Sequence, residues 1–181
     1  MTVESPARAS APRALRADGL HDPIGGMRPA PVLSWKFDGA EAPERFRVVG
    51  SQSPEAADEV AADLFDVTCE AGGVTSIPWP ADPLRSRDRV WWRVGAVVGG
   101  QTNWSSPASV EAPLWSEAEW EAEAVTDSEW VLPGERAPAA FPELRRRFRV
   151  GGDVAAARLY LAAAGVVVPR LNGRRAIDAE L

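Results

Sequence analysis

The chain has 181 residues, enough for one large domain or two small ones, with 45% hydrophobic and 25% charged residues as in ordinary globular proteins. Its formal net charge of −6 excludes a broad phosphate-neutralising surface, so we expect no nucleic-acid partner. No apolar stretch reaches membrane-spanning length, so we expect no membrane partner either.

The first part of the chain predicts a tail followed by short strands. Residues 1–12 are rich in Ala, Pro and Ser without periodicity, which predicts a flexible tail. Segments 31–37 and 45–51 alternate apolar and polar residues, as half-buried strands do. Ser53, followed by Pro54 and an alanine-rich run, predicts the capped start of a short helix.

The segment "LRSRDRVWWRVGAV" at 84–97 carries two adjacent tryptophans, which point to opposite faces of a strand. One face is apolar throughout and is the predicted core face: Val90, Trp92, Val94 and Ala96. The other face carries Trp91 and Arg93, and we expect this arginine to lie along that indole. So many short strands between turns, without a long helix, predict an all-β chain built on an antiparallel sandwich.

The character of the chain changes after residue 113. Residues 114–140 join an acidic, helix-forming stretch to a proline-bearing loop, which predicts a linker. Residues 144–150 alternate again and predict a strand. In 154–168 the alanines favour a helix, whereas flanking glycines and the turn signal Asn172-Gly173 favour strands; we predict strands, and hence an unfinished sheet.

The residue inventory offers little for catalysis. A nucleophile–histidine system would have to use His21, the one histidine, and its place in a proline- and glycine-rich approach to the first strand favours a loop or packing role over catalysis. One histidine and one cysteine, Cys69, give no credible set of zinc ligands. The acidic run 117–123 predicts a solvated face, and the basic run 145–147 predicts surface or interdomain ion pairs. We therefore predict no catalytic residue, no metal site and no cofactor. The lone cysteine and a start without an apolar signal core predict a cytoplasmic location.

Eight tryptophans are the most informative excess in the composition. Trp35 and Trp92 fall on apolar strand faces and predict the two halves of a sandwich core. We expect most of the others to cover domain edges or the junction between two modules, and a sugar-stacking surface remains the alternative. These others are Trp79, Trp91, Trp104, Trp115, Trp120 and Trp130. The sequence leaves any binding residues unknown.

Three anchors occur in order along the chain: "GLHDPIGGMRPAPVLSW" (19–35), "RFRVVGSQSPE" (45–55) with "DLFDV" (63–67), and "PLRSRDRVWWRV" (83–94) with "NWSSPASVEA" (103–112). Together they resemble the amino-terminal region of bacterial α-L-rhamnosidases, the inverting enzymes of glycoside hydrolase family seventy-eight. The resemblance implies a fibronectin type III-like sandwich over residues 13–113.

The resemblance extends into the last part of the chain. "FPELRRRFRV" and "ARLYLAAAGVVVPRLNGRRAID" resemble the opening of the family's next, jelly-roll-like sandwich, which implies that residues 141–181 are its truncated start. No segment resembles the α/α barrel that carries the family's general acid and base. The resemblance therefore implies no catalytic residue here, and no rhamnoside hydrolysis by this chain alone.

Two hypotheses about function follow. In the first, the chain is a non-catalytic portion of a rhamnosidase whose parent activity releases terminal α-L-rhamnose from glycosides, and its partner is the catalytic barrel in cis or in trans. In the second, it is a stand-alone sandwich that binds rhamnose-containing glycans or a protein partner through exposed tryptophans.

Overall fold

A computed structural model describes residues 11–123, 125, 143–155, 157–163 and 166–176. The chain divides into two units, Met1–Glu119 and Trp120–Leu181. Residues 1–10 of the predicted tail lie outside the described residues, and so does most of the predicted linker at 114–140.

The described part of the first unit is built from short strands and one short helix. The strands are β1 (Arg13–Ala17), β2 (Leu33–Lys36), β3 (Arg45–Ser51), β4 (Phe65–Glu70), β5 (Ser76–Ile77), β6 (Arg89–Val98), β7 (Gln101–Trp104) and β8 (Ala108–Glu111), and the helix is α1 (Pro54–Asp58). One sheet has the order β1-β2-β5. The other has the order β4-β3-β6-β7, with β8 also paired to β6. All these named strand pairs are antiparallel, which confirms the predicted sandwich.

The core lies between the two sheets and follows the predicted faces. Trp35 of β2 meets Phe46 of β3 edge to face, with ring centroids 5.2 Å apart. Trp92 on β6 is 1% exposed and joins the same cluster. The indole N–H groups of Trp35 and Trp92 have no acceptor among the described residues, so both rings are held by apolar packing.

The ten-residue strand β6 pairs with three strands of the second sheet. β3 pairs along one edge, and β7 and β8 share the other. The first half of β6 pairs with β8 and its second half with β7. Ser105 lies at the change of partner, where its N–H donates to the Val94 carbonyl (2.9 Å) and its hydroxyl accepts from the Val94 N–H (3.1 Å). This buried serine therefore satisfies the β6 backbone where neither neighbouring strand does.

Helix α1 contacts β3 and β6. Ser53 caps it, as predicted, by accepting from the Ala56 N–H (3.1 Å), and Pro54 is its first residue. At its other end Arg93 donates to the carbonyls of Ala57 and Asp58. The expected stack of Arg93 on Trp91 is therefore wrong: this guanidinium donates to carbonyls at the helix C-terminus instead.

The described part of the second unit holds one small hairpin. It consists of β9 (Arg170–Leu171) and β10 (Arg174–Arg175). The predicted turn is confirmed, since Asn172 (φ 50°) and Gly173 (φ 79°) both take the left-handed conformation of a two-residue hairpin loop. The strands predicted at 144–150 and within 154–168 do not form in the described residues, because an alternating segment becomes a strand only when another strand pairs with it.

Candidate functional site

His21 lies on the surface, in the loop between β1 and β2. Its imidazole is 70% exposed, and its Nδ1 lies 3.3 Å from a carboxylate oxygen of Asp22. The other oxygen of Asp22 accepts from the N–H of Ser109 on β8 (2.6 Å). Ile24 of the same loop forms an isolated β-bridge with Glu111 of β8. This region therefore attaches the loop to the edge of the sheet.

Cys69 occupies a half-buried position on β4. Burial raises the pKa of its thiol, which keeps the sulfur protonated and poorly nucleophilic at neutral pH. Across the described ranges, no group of three or more His, Cys, Asp or Glu side chains is placed to hold a metal ion. Likewise, none of the helices in these ranges is long and apolar enough to cross a bilayer. The cytoplasmic location stays a prediction.

Among the described residues, buried tryptophans contribute to the core at three positions instead of the predicted two. Trp35 and Trp92 lie there as expected. Trp79, expected at a domain edge, also lies there, because it packs edge to face against Phe65 and donates from Nε1 to the Asp82 carbonyl (2.9 Å). The segment around Trp79 is framed by prolines and shows no strand alternation, so the sequence gives no signal that Trp79 lies in the core.

Two half-buried tryptophans on the opposite face of β6 and β7 are covered by arginines. The Arg89 guanidinium lies over Trp91 (4.5 Å to the ring centroid), and that of Arg47 lies over Trp104 (5.6 Å). Trp104 also packs on Gly95, where a Cβ atom would come within 2.9 Å of the ring. Because guanidinium groups already cover these rings, neither indole presents an open platform for a sugar.

An open concavity of about 710 Å³ lies beside β1 and β2, and its polar groups bond to one another. Asp18 accepts from the Arg28 guanidinium (2.7 Å), from the Arg28 N–H (2.9 Å) and from the Val32 N–H (2.9 Å). The Arg28 hydrogen bond holds the pKa of this carboxyl far below its usual range. We interpret this cluster as a latch that closes the loop between β1 and β2.

The segment that follows β8 is joined to the sandwich by hydrogen bonds that sequence analysis missed. Trp115 donates from Nε1 to the Leu84 carbonyl (2.9 Å), and Glu119 accepts from the Ser86 hydroxyl (2.7 Å). Of the predicted acidic face, Glu117, Glu121 and Glu123 are exposed, whereas Glu119 is partly covered. The pattern Ser-x-x-Glu at 116–119 was the signal, because it marks a reciprocal cap of a helical turn.

Large apolar side chains are exposed along the described part of the second unit. Phe148 is 68% exposed, next to the basic run 145–147 whose side chains are exposed as well. The exposed apolar residues there are Val125, Leu144, Phe148, Val150, Val154, Leu159, Leu161, Val166, Val168 and Leu171. In folded proteins so many exposed apolar side chains are unusual.

Residues 12–116 match the sequence profile of a family described as the N-terminal immunoglobulin domain of Rha78A-like proteins. The match covers more than half of the chain, and the sandwich has the expected strand pairing. The chain therefore belongs to this family.

Relatives extend the similarity beyond the sandwich. The chain is 28% identical over 172 residues to an α-L-rhamnosidase of Formosa agariphila, and 26% identical over 166 residues to one of Alteromonas sp. (strain LOR). These matches cover 90% and 87% of this chain but only 18% of each relative, so the chain spans less than a fifth of their length.

Solved structures agree on the fold. The α-L-rhamnosidase of Dictyoglumus thermophilum superposes with a TM-score of 0.58 at 22% identity, covering 68% of this chain and 14% of that one. The Streptomyces avermitilis α-L-rhamnosidase, solved in complex with L-rhamnose, gives a TM-score of 0.52 at 24% identity, covering 62% of this chain and 11% of that one.

Proposed function

We propose that the chain is the non-catalytic N-terminal portion of an α-L-rhamnosidase-like glycoside hydrolase, and that its sandwich supports a catalytic barrel. The observation that carries the proposal is the asymmetry of the matches, which span 90% of this chain and 18% of the Formosa agariphila enzyme. The parent activity in this proposal is hydrolysis of terminal α-L-rhamnose from glycosides.

The partner in this proposal is the catalytic region of the same enzyme, joined in cis. Residues 141–181 then begin a second sandwich, whose remaining strands come from that region. The exposed apolar side chains of the second unit support this, because pairing would bury them. Exposed arginines at alternate positions 145, 147 and 149 are placed to remain on the solvated side of such a strand.

A turnover assay tests the non-catalytic role. We expect the purified chain to release no nitrophenol from an aryl α-L-rhamnoside, with the Formosa agariphila enzyme as the active control. Turnover that co-purifies with the chain and scales with its concentration would overturn the proposal.

A pair of substitutions tests the apolar surface, because Phe148 and Ile24 are each 68% exposed in different units. We expect Phe148→Ser to reduce self-association and dye binding by the isolated chain, and Ile24→Ser to change both less. Light scattering and anilinonaphthalene sulfonate fluorescence measure the two effects. Equal effects, or a larger one for Ile24→Ser, would contradict the assignment of the partner surface to the second unit.

The gene itself supplies a further test, since the proposal expects the reading frame to continue into a barrel. A stop codon together with a soluble monomer would favour the alternative of a stand-alone module that binds glycans or a protein. The glycan form of that alternative requires rhamnose-containing oligosaccharides to quench tryptophan fluorescence in a saturable manner. We expect a flat titration, because Arg89 and Arg47 cover Trp91 and Trp104.

A further inference from the structure

The chain remains bonded to the sandwich after its last strand. The N–H of Arg87, in the turn before β6, donates to the Ala112 carbonyl (3.3 Å). Three residues after Ala112, the half-buried Trp115 packs against the core cluster and donates from its indole to the Leu84 carbonyl (2.9 Å). The backbone and a large side chain are therefore both held by the 84–87 turn.

Glu119 closes this arrangement through one carboxylate oxygen. Its Oε2 accepts from the Ser86 hydroxyl (2.7 Å), the Ser116 N–H (2.9 Å) and the Trp115 N–H (3.0 Å). The Ser116 hydroxyl accepts in turn from the Ala118 N–H (3.2 Å), which makes the single turn Glu117–Glu119 a reciprocally capped one. Hydrogen bonds from Ser86 and then Ser116 lower the pKa of Glu119.

We infer that Trp115, Ser116 and Glu119, held by Leu84 and Ser86, form an exit clamp that fixes where and in which direction the chain leaves the sandwich. A loose connection needs none of these contacts, and here both ends of a five-residue segment bond to the same turn. The clamp lies wholly within the first unit, so the inference is independent of the proposed function. Its consequence is that residues beyond 119 start from a fixed point.

Amide hydrogen exchange on the full chain tests the clamp. We expect Glu119→Ala to speed exchange of the Ser116 amide about tenfold, because this amide loses its acceptor. The Trp115 amide should speed up less, because the Ser86 hydroxyl also accepts from it (3.0 Å). Glu119→Gln keeps an oxygen without the charge and should give a smaller increase. Glu117→Ala is the matched control on the same turn, since its exposed side chain takes part in none of the clamp hydrogen bonds described above, and it should leave both rates within twofold.

The Val94 amide reports whether the sandwich stays folded, because Ser105 holds it in the core. In Glu119→Ala its exchange should remain unchanged. If that variant loses protection throughout, the comparison of Glu119→Gln with Glu117→Ala decides. Rates at Trp115 and Ser116 that stay within twofold of wild type in both Glu119 variants, or that rise as much in Glu117→Ala, would overturn the clamp.

Discussion

Two alternating segments of this chain have different outcomes. In β6, apolar residues at every second position from Val90 onward are buried. Residues 144–150 show a similar alternation, with Leu144, Phe148 and Val150 on one side, yet these side chains are exposed and no strand forms. β6 has β3 on one edge and β7 with β8 on the other. Alternation therefore specifies which face of a strand is buried, while its edges need partners to make it a strand.

Substitution of the two adjacent tryptophans tests which face of β6 carries the core. Trp92→Ala should lower the free energy of unfolding by about 3–5 kcal/mol, because it empties a buried aromatic site. Trp91→Ala should cost clearly less, since Trp91 is half-buried and loses mainly its contact with Arg89. Urea denaturation of both variants measures the difference. Equal costs or the reverse order would contradict the strand register.

A smaller loss of stability is expected at Gly50, whose backbone lies against the Phe65 ring. A Cβ atom on Gly50 would approach the Phe65 ring within 2.3 Å, so Gly50→Ala should destabilise by about 1–3 kcal/mol through overpacking. Gly72→Ala is the control, since its added Cβ meets nothing within 4 Å. Thermal unfolding of the two variants makes the comparison. A Gly50→Ala variant as stable as Gly72→Ala would show that the Phe65 ring moves aside freely.

The latch at Asp18 should make the stability of the first unit sensitive to acid. Its folded pKa lies below the unfolded value of about 4, so its stabilisation is present above that pH and is lost as the pH falls toward the folded pKa. Asp18→Asn should cost about 1–2 kcal/mol at neutral pH, because hydrogen bonds to a charged group are lost. The variant should lose less stability than wild type between pH 5 and 2, as measured by urea midpoints across that range. Parallel pH profiles would refute the latch.

Substitution in residues 144–150, which have no strand partner, should change stability least. Val150→Ala should change the unfolding free energy by less than about 0.5 kcal/mol, because Val150 is 59% exposed. The same substitution at Val94, which is fully buried, should cost about 2 kcal/mol. Chemical denaturation followed by tryptophan fluorescence compares the two. A large cost at Val150 would mean that this segment already packs into a core.

Sequence reasoning predicted the elements whose signals are local. The alternating faces of β2, β3 and β6, the Ser53 cap of α1 and the Asn172-Gly173 turn need only neighbouring residues, and all are present. Strand β1 was missed because tertiary pairing to β2 defines it more than its own composition does.

Contacts between elements were harder to predict. Arg89 and Arg93 share a face of β6 with Trp91, so alternation alone does not decide which of them stacks on the indole. Helix α1 decides it, because its terminal carbonyls take Arg93. The acidic run predicts a solvated position for Glu119, although its spacing from Ser116 carries the capping signal. The domain boundaries at 113 and 140, and the second sandwich, stay predictions.

Because Ser105 is bonded to the Val94 backbone, the chain length on its two sides should matter differently for stability. The glycine turn at 99–100 lies beyond the end of β6, so an inserted residue there lengthens a loop and leaves both pairings intact. An insertion between Ser105 and β8 shifts β8 by one position against β6, which turns the buried Val110 outward and draws its neighbours into the core. We therefore expect an inserted residue to be tolerated on one side of β7 and to destabilise the sheet on the other.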